Sequence, residues 1–575
     1  MRRLFPFLLL VLAFAAAFSQ DAPAALSLSK SMIAIKISDP QRQIIAFQPL
    51  FSRIDDLIDT LKPGGGKVTD KLTKGLGDLA KVPGINVAGD FWITFTPSDK
   101  PAEAEEVKDQ PPMPFNGIML LVPLKDAELF KTFANSPEAA KKFPPCQIFD
   151  NYAVLQVFGK KPVKYSGVNC DISLISKRDV VVWVHLQSNP MAGMEKQAGE
   201  MAPFVSTLSG LIDDFIKNEQ SAELGLAMTG DDLSLESYVT PVPDSPLAKD
   251  IAAQQPNAAQ AVTLAGYLPE NLAFCSASGP MLEGAPGLGN AALRVVMGLM
   301  TGFMEPEQGK ALSKQFDQLS LQCKNGRAIG MTVPPANLQT SATLVAVYQV
   351  KDPQAAAAAM HGFVQEVMKA KDSFFNGGLS TIVKIFTKPN AEMTNAVPVD
   401  LIKIIIATGE LGNDPAAKPI TIEGRVAYTN DKMLLAIGDT SKDEITAMIG
   451  RIKDGTTGFT ASKRFDKLKA GLPENIRGFE SYAMLDMCKA GASLLPVDPT
   501  DKKDIIKFLS LFPQQKSVIN SYGDFRDGRL HSDLRIPGEE LDFVSTLIKG
   551  LAAFGDNNKG NTPAPKNGGT PPKKK

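Results

Sequence analysis

Two stretches of this chain follow one grammar. "GIMLLVPLKDAELFKTFA" (117–134) and "SATLVAVYQVKDPQAAAAAMHGFVQEVMKA" (341–370) each pass from a Val/Leu-rich run through Lys-Asp into a helical pattern. Asp126 and Asp352 stand where an N-cap belongs, since a carboxylate there accepts the free N–H groups of the first turn. Pro353 takes the first helical position, where its missing N–H costs nothing. Three further landmarks then recur in the same order. A hairpin turns at Asp150-Asn151 in "CQIFDNYAVLQVFG" (146–159) and at Asn430-Asp431 in "GRVAYTNDKMLLAIGD" (424–439). A strand follows, "DVVVWVHLQ" (179–187) and "GFESYAMLDM" (478–487). A closing hairpin ends each series, at 223–247 and at 517–541, the latter with the two-residue turn signal Asp527-Gly528.

A repeated order of landmarks constrains the fold more than any one segment does. It predicts an α+β chain of two related lobes, 25–250 and 260–552, each mainly antiparallel sheet with hairpins and covering helices. The second series is displaced by about 226 residues at the first landmark and about 280–300 at the others. An insertion near 371–420 accounts for the jump, and "VDLIKIIIATG" (399–409) within it is predicted to be an extra helix. "LSLQCKNGRAIGMTV" (319–333) is predicted to be a further hairpin turning at Asn325-Gly326. The tetrapeptide Leu-Pro-Glu-Asn occurs at 268–271 and again at 472–475. Proline cannot donate to a ladder, so the motif suits the step before the first paired residue of a strand. It is predicted to lead into a strand both times and to mark repeated building blocks.

The ends point to export. Arg2 and Arg3 precede an apolar run over 4–16, and Ala17-Phe18-Ser19 offers a small-x-small cleavage site. The run is shorter than the ~20 residues that span a bilayer, so residues 1–19 are expected to be a Sec-type signal peptide. The expected location is extracytoplasmic, periplasm or medium, with no transmembrane anchor in the mature form. Residues 553–575 are expected to be a disordered basic tail, poor in core-forming side chains. Net charge is −1 over the whole chain, but the leader holds two arginines and 556–575 five lysines and one aspartate. The body, 20–555, therefore carries 54 basic and 61 acidic residues, a net of −7. An acidic body lacks the basic footprint of a nucleic-acid binder. Five cysteines in 575 residues are too few for a disulfide scaffold. By proximity the candidate pairs are Cys146–Cys170 and Cys275–Cys323, leaving Cys488.

"MLLAIGDTSKDEITAMI" followed by "FTASKRFDKLKAGLPENIRGFESYAMLDM" resembles a family of exported bacterial proteins defined by a domain of unknown function. Its grammar is a strand ending in a small-residue turn, a helix, a Phe-x-x-Leu segment, then Leu-Pro-x-x leading into a strand. Phe465, Leu468, Leu472 and Pro473 fit, and the likeness covers mainly 260–550. The resemblance implies an extracytoplasmic α+β protein and brings no activity and no catalytic residues.

Motifs for chemistry are sparse. His185, His361 and His531 are the three histidines, and none has the neighbours of an H-E-x-x-H site. No G-x-S-x-G elbow is present. "SLSK" (27–30) has no S-D-N or K-T-G companion, and "PGGGKVTDK" (63–71) lacks the Ser or Thr of a phosphate loop, so it is expected to be a flexible loop. "GLGNAALRVVMG" (287–298) is better read as a loop into a helix, on which Met297, Met300 and Met304 form a pliable core stripe. No catalytic, cofactor-binding or metal-binding residue is assigned. The expectation is a non-catalytic exported protein with a binding or structural role. Two readings compete with it. One is a periplasmic carrier of a lipid-like ligand, since 31 Phe and 20 Met can line a cavity. The other is a hydrolase with a non-standard site.

Overall fold

A computed structural model describes residues 33–61, 67–97, 115–137, 146–158, 178–185, 216–253, 258–280, 306–323, 325–334, 340–374, 383–407, 419–494 except 475, and 517–559, with isolated positions between them. The first half runs β1 (Ile33–Ile37), α1 (Pro40–Ala46), α2 (Gln48–Leu61), α3 (Val68–Ala80), β2 (Phe91–Pro97), β3 (Phe115–Pro123), α4 (Ala127–Ala134), β4 (Cys146–Phe149), β5 (Tyr152–Phe158), β6 (Val180–Val184), β7 (Glu219–Thr229), β8 (Asp232–Pro241) and α5 (Pro246–Ala253). The second opens with α6 (Ala258–Gly266), β9 (Leu272–Ser278), α7 (Pro306–Gln322), β10 (Arg327–Thr332), β11 (Leu344–Gln349) and α8 (Pro353–Phe374). It continues through β12 (Val383–Thr394), β13 (Val397–Ile406), β14 (Ile420–Thr429), β15 (Lys432–Ile437), α9 (Ser441–Asp454) and α10 (Lys463–Lys469). It closes with β16 (Ile476–Tyr482), α11 (Met484–Leu494), β17 (Ile519–Arg526), β18 (Arg529–Ile536) and α12 (Gly538–Lys559).

All 18 described strands join one antiparallel sheet. Read outward from the middle, the first half is ordered β8-β7-β6-β1-β2-β3-β5-β4. The second is ordered β18-β17-β16-β9-β10-β11-β15-β14, with β13 and β12 added beyond. The two orders match strand for strand, and β8 pairs with β18 at the seam between them. The predicted lobes are thus two halves of a single sheet. Every landmark pair read from the sequence falls on corresponding elements.

The Leu-Pro-Glu-Asn copies mark a smaller symmetry. They lead into β9 and β16, which are adjacent antiparallel strands of the same half. Around that pair the order β11-β10-β9 mirrors β18-β17-β16, just as β3-β2-β1 mirrors β8-β7-β6. Each motif therefore opens one strand–helix–hairpin unit, and its Glu270 and Glu474 are exposed. Leu268 instead enters the core, fully buried, and its carbonyl accepts a 2.9 Å bond from the Phe459 N–H. Gly458 lies against that carbonyl so closely that a Cβ would sit 2.0 Å from the oxygen. Backbone cannot yield as a side-chain tip can. Gly458→Ala is expected to lower stability by about 1–3 kcal/mol, as overpacking does, read as a lower midpoint in denaturant. An unchanged midpoint would remove this tether from the account.

Local rules explain the elements. Asp126 caps α4 by accepting from the Leu129 N–H at 2.8 Å, and Asp352 caps α8 through the Gln354 N–H at 2.8 Å. Asp150, Asn430 and Asp527 adopt φ of 50°, 52° and 52° at their hairpin turns, the left-handed region that Asn and Asp tolerate. Strand alternation then sends successive side chains to opposite faces. On one face of the second half, Leu264, Ile445, Met448, Phe465 and Leu468 from α6, α9 and α10 bury Val345, Val347, Leu434 and Phe479 of the sheet. Rings of Phe459, Phe465 and Phe479 meet at 5.7–6.5 Å, each worth about 1.5–3 kcal/mol by burial. On the other face, Met360 and Val364 of α8 cover Tyr348, Val426 and Met433. In the first half Val82, Phe130 and Val122 form the comparable layer. α12 crosses back to the first half, where Asp542 pairs with Arg53 at 2.6 Å and Lys549 with Asp56 at 3.0 Å.

Several sequence expectations are corrected. The helix predicted over 399–409 is not found in its described part, 399–407, because 397–406 form β13. Isoleucine is β-branched and favours strands, and β13 has partners on both sides. Residues 319–333 are not a hairpin: α7 runs to Gln322 and a turn at Gly326, φ 141°, leads into β10. The strand predicted over 478–487 ends at Tyr482, and α11 begins at Met484. Of the loop predicted over 63–71, residues 68–71 are instead the first turn of α3, and 63–66 lie outside the described residues. α12 is helical through Lys559, so the predicted tail from 553 begins in a helix. Cys275 and Cys323 lie on opposite faces of the sheet and are free, as are Cys146 and Cys488. Cysteine mapping by mass spectrometry is expected to recover Cys275 and Cys323 as thiols that resist alkylation until the chain is unfolded. Cys170, the 1–19 leader, "SLSK", 287–298, Met297, Met300 and Met304, and 560–575 lie outside the described residues. No described helix is long and apolar enough to cross a membrane.

Candidate functional site

Among the described residues, a dense group of ionisable side chains sits on the seam. The two-residue turn at Asp527-Gly528 fixes the β17–β18 register, which places Asp524 opposite His531. Across the seam, β18 sets His531 opposite Tyr238 and Asp533 opposite Glu236. Because side chains alternate, residues 236, 238, 524, 531 and 533 share one face.

His531 is 1% exposed, and its two ring nitrogens bond to two carboxylates. Nδ1 lies 2.6 Å from Asp524 Oδ1, and Nε2 lies 3.2 Å from Glu236 Oε1. Arg178 Nε donates to Glu236 Oε2 at 2.7 Å, and the Tyr238 hydroxyl donates to Oε1 at 3.2 Å. Arg526 Nε donates to Asp524 Oδ2 at 3.0 Å, and the Tyr238 ring stands 4.6 Å from the imidazole. Gly225 makes room for this. It pairs with Glu236 across β7–β8, and a Cβ there would lie 2.6 Å from Arg178 Cγ. Glycine at 225 lets the arginine stem cross the strand to reach its carboxylate.

These contacts set the charges. Burial alone pushes the Glu236 carboxyl up, but bonds from His531 and Arg178 outweigh it and hold the group at about 2. Burial alone pulls the His531 imidazole down, but the Asp524 and Glu236 bonds reverse this and raise it. His531 is therefore biased toward the imidazolium form between Asp524 and Glu236, flanked by the guanidinium groups of Arg178 and Arg526. No ring nitrogen of His531 is left to take a nucleophile's proton, which a triad base must do.

His361, on α8, places Nε2 2.7 Å from Asp400 Oδ2 on β13. The other Asp400 oxygen accepts from the Asn390 N–H at 2.8 Å, fixing the bend in β12. A hollow of about 90 Å³ opens beside this pair, lined by Met360, Thr387, Ile402 and Val426 among others. That is well below the ~300 Å³ at which small-molecule sites begin. His185 sets Nδ1 against the Gln220 carbonyl and its ring 5.7 Å from Trp183. The three histidines lie in three separate places, and no group of three potential metal ligands occurs among the described residues. Sequence reasoning placed no site at the seam. The Asp524–His531 pair was implied by the Asp527-Gly528 turn, whereas Glu236 and Arg178 come from the other half and carry no local signal.

No family model, curated protein or solved structure matches the chain.

Proposed function

We propose that the chain is an exported, non-catalytic protein of the bacterial envelope or secreted space, acting as a binding or structural scaffold. The observation that carries this reading is the seam. The strongest constellation of acids, bases and cations among the described residues centres on a buried His531–Asp524 pair whose polar atoms bond to their neighbours on the two matching halves of one sheet. Such a network specifies an arrangement rather than turning over a substrate. The matching strand orders suggest an origin by internal duplication.

Two measurements test this. Fusing the first 25 residues to a phosphatase that is active only outside the cytoplasm should give active enzyme in a Gram-negative host; an inactive fusion would overturn export. Native mass spectrometry of the full protein from the extracytoplasmic fraction should give the bare chain mass. A non-covalent adduct lost on denaturation would favour the lipid-carrier reading instead.

A further inference from the structure

Among the described residues, the inserted hairpin β12–β13 is the part of the second half with no counterpart in the first, and it ends the sheet. There β12 pairs only with β13 among the described residues. Its outer side therefore presents backbone N–H and C=O groups to any strand that approaches. The regular stretch is Val383–Lys388, because beyond it come Pro389, Asn390 at φ 50° and a register shift. Along that stretch Lys384, Phe386 and Lys388 share one face. All three are exposed, Phe386 by 51%.

The side-chain order decides what can dock. A second copy of β12 pairing antiparallel about Phe386 would set Lys384 opposite the copy's Lys388, twice, on one face. Directly opposed like charges destabilise a strand pair. Neither lysine has an ion pair among the described residues, in contrast to Lys403 beside them, which is 3.4 Å from Glu423. The edge thus rejects itself while holding two uncompensated cations around an exposed ring. We infer that β12 is a docking edge for an extended acidic segment of a partner protein, one that carries acid–x–apolar–x–acid along one face. Pairing adds the segment as a further strand of the sheet, with carboxylates against Lys384 and Lys388 and an apolar side chain against Phe386. The bend at Pro389 limits the added ladder to the span of Val383–Lys388. The inference rests on this edge alone and holds whether or not the chain is exported.

The test uses the full chain and two labelled heptapeptides, Thr-Asp-Thr-Val-Thr-Asp-Thr and its lysine counterpart Thr-Lys-Thr-Val-Thr-Lys-Thr, titrated by fluorescence anisotropy. The acidic peptide should bind at least tenfold more tightly, and K384E/K388E should reverse the preference. The single variant K384E supplies a second readout. In it, self-pairing about Phe386 sets the introduced carboxylate opposite the copy's Lys388, twice, so sedimentation should show a dimer that the native chain and the double variant do not form. Circular dichroism checks that each variant keeps its fold. Equal affinity for the two peptides, binding of neither, a preference untouched by charge reversal, or a native dimer broken by T387P would each overturn the proposal.

Discussion

Glu236→Ala is expected to cost the folded protein up to about 3 kcal/mol, the low end of the range for breaking a buried ion pair, because the Glu236 and Arg178 side chains are 15% and 29% exposed. The substitution strands two cations at once. Arg178 loses its 2.7 Å acceptor, and the His531 imidazolium keeps only Asp524. Lys310→Ala is the matched control, since its pair with Glu307 is exposed and should change stability by under about 0.5 kcal/mol. Arg178→Ala combined with Glu236→Ala should cost less than the sum of the single changes, because the second removes a charge that the first has already stranded. The molecule also contains its own spectroscopic probe. Its two tryptophans, Trp92 and Trp183, lie together in the first half. Tryptophan fluorescence thus follows that half, while far-ultraviolet circular dichroism follows both. With the seam intact the two unfolding curves should coincide, and in Glu236→Ala they should separate. A loss below about 1 kcal/mol with coincident curves would mean that the seam network does not couple the halves.

The same residues show where sequence reasoning stops. Caps and turns are local physics, so Asp126, Asp352, Asn430 and Asp527 were legible one segment at a time. The repeated order of landmarks was legible because each half reuses the same local grammar. That β8 meets β18 was not, since the pairing joins strands about 295 residues apart through backbone groups every strand possesses. Half of the seam site followed this pairing out of view. Residues 399–409 failed for a different reason. A short apolar run with no clear period fits a buried helix and a buried strand equally, and only its isoleucines argued for the strand. Residues 319–333 failed in the opposite sense, where an Asn-Gly signal that fits a hairpin turn instead joins the end of a helix to the start of β10.

Acid and base should act on the seam from opposite directions. Glu236 is held at about 2 in the fold against an ordinary 4.5, so the unfolded chain takes up its proton first as pH falls. Its contribution is complete above pH 4.5 and is lost between there and about pH 2, on the order of 3 kcal/mol at most. His531 is raised above its ordinary 6.5, so its contribution is complete below that value and is lost as pH rises through the folded pKa. The native protein should therefore show a stability plateau in mildly acidic buffer, with a shoulder of loss on each side. His531→Gln should flatten the alkaline shoulder, because glutamine carries no proton to lose. Glu236→Gln should flatten the acid shoulder and also weaken the alkaline one, since it removes one of the two carboxylates that raise the imidazole. Denaturant midpoints measured across pH 3–9 for the three proteins decide the matter. An alkaline shoulder that survives His531→Gln would assign the titration to another group, and with it the idea that the joint between the halves is held by an imidazolium would fall.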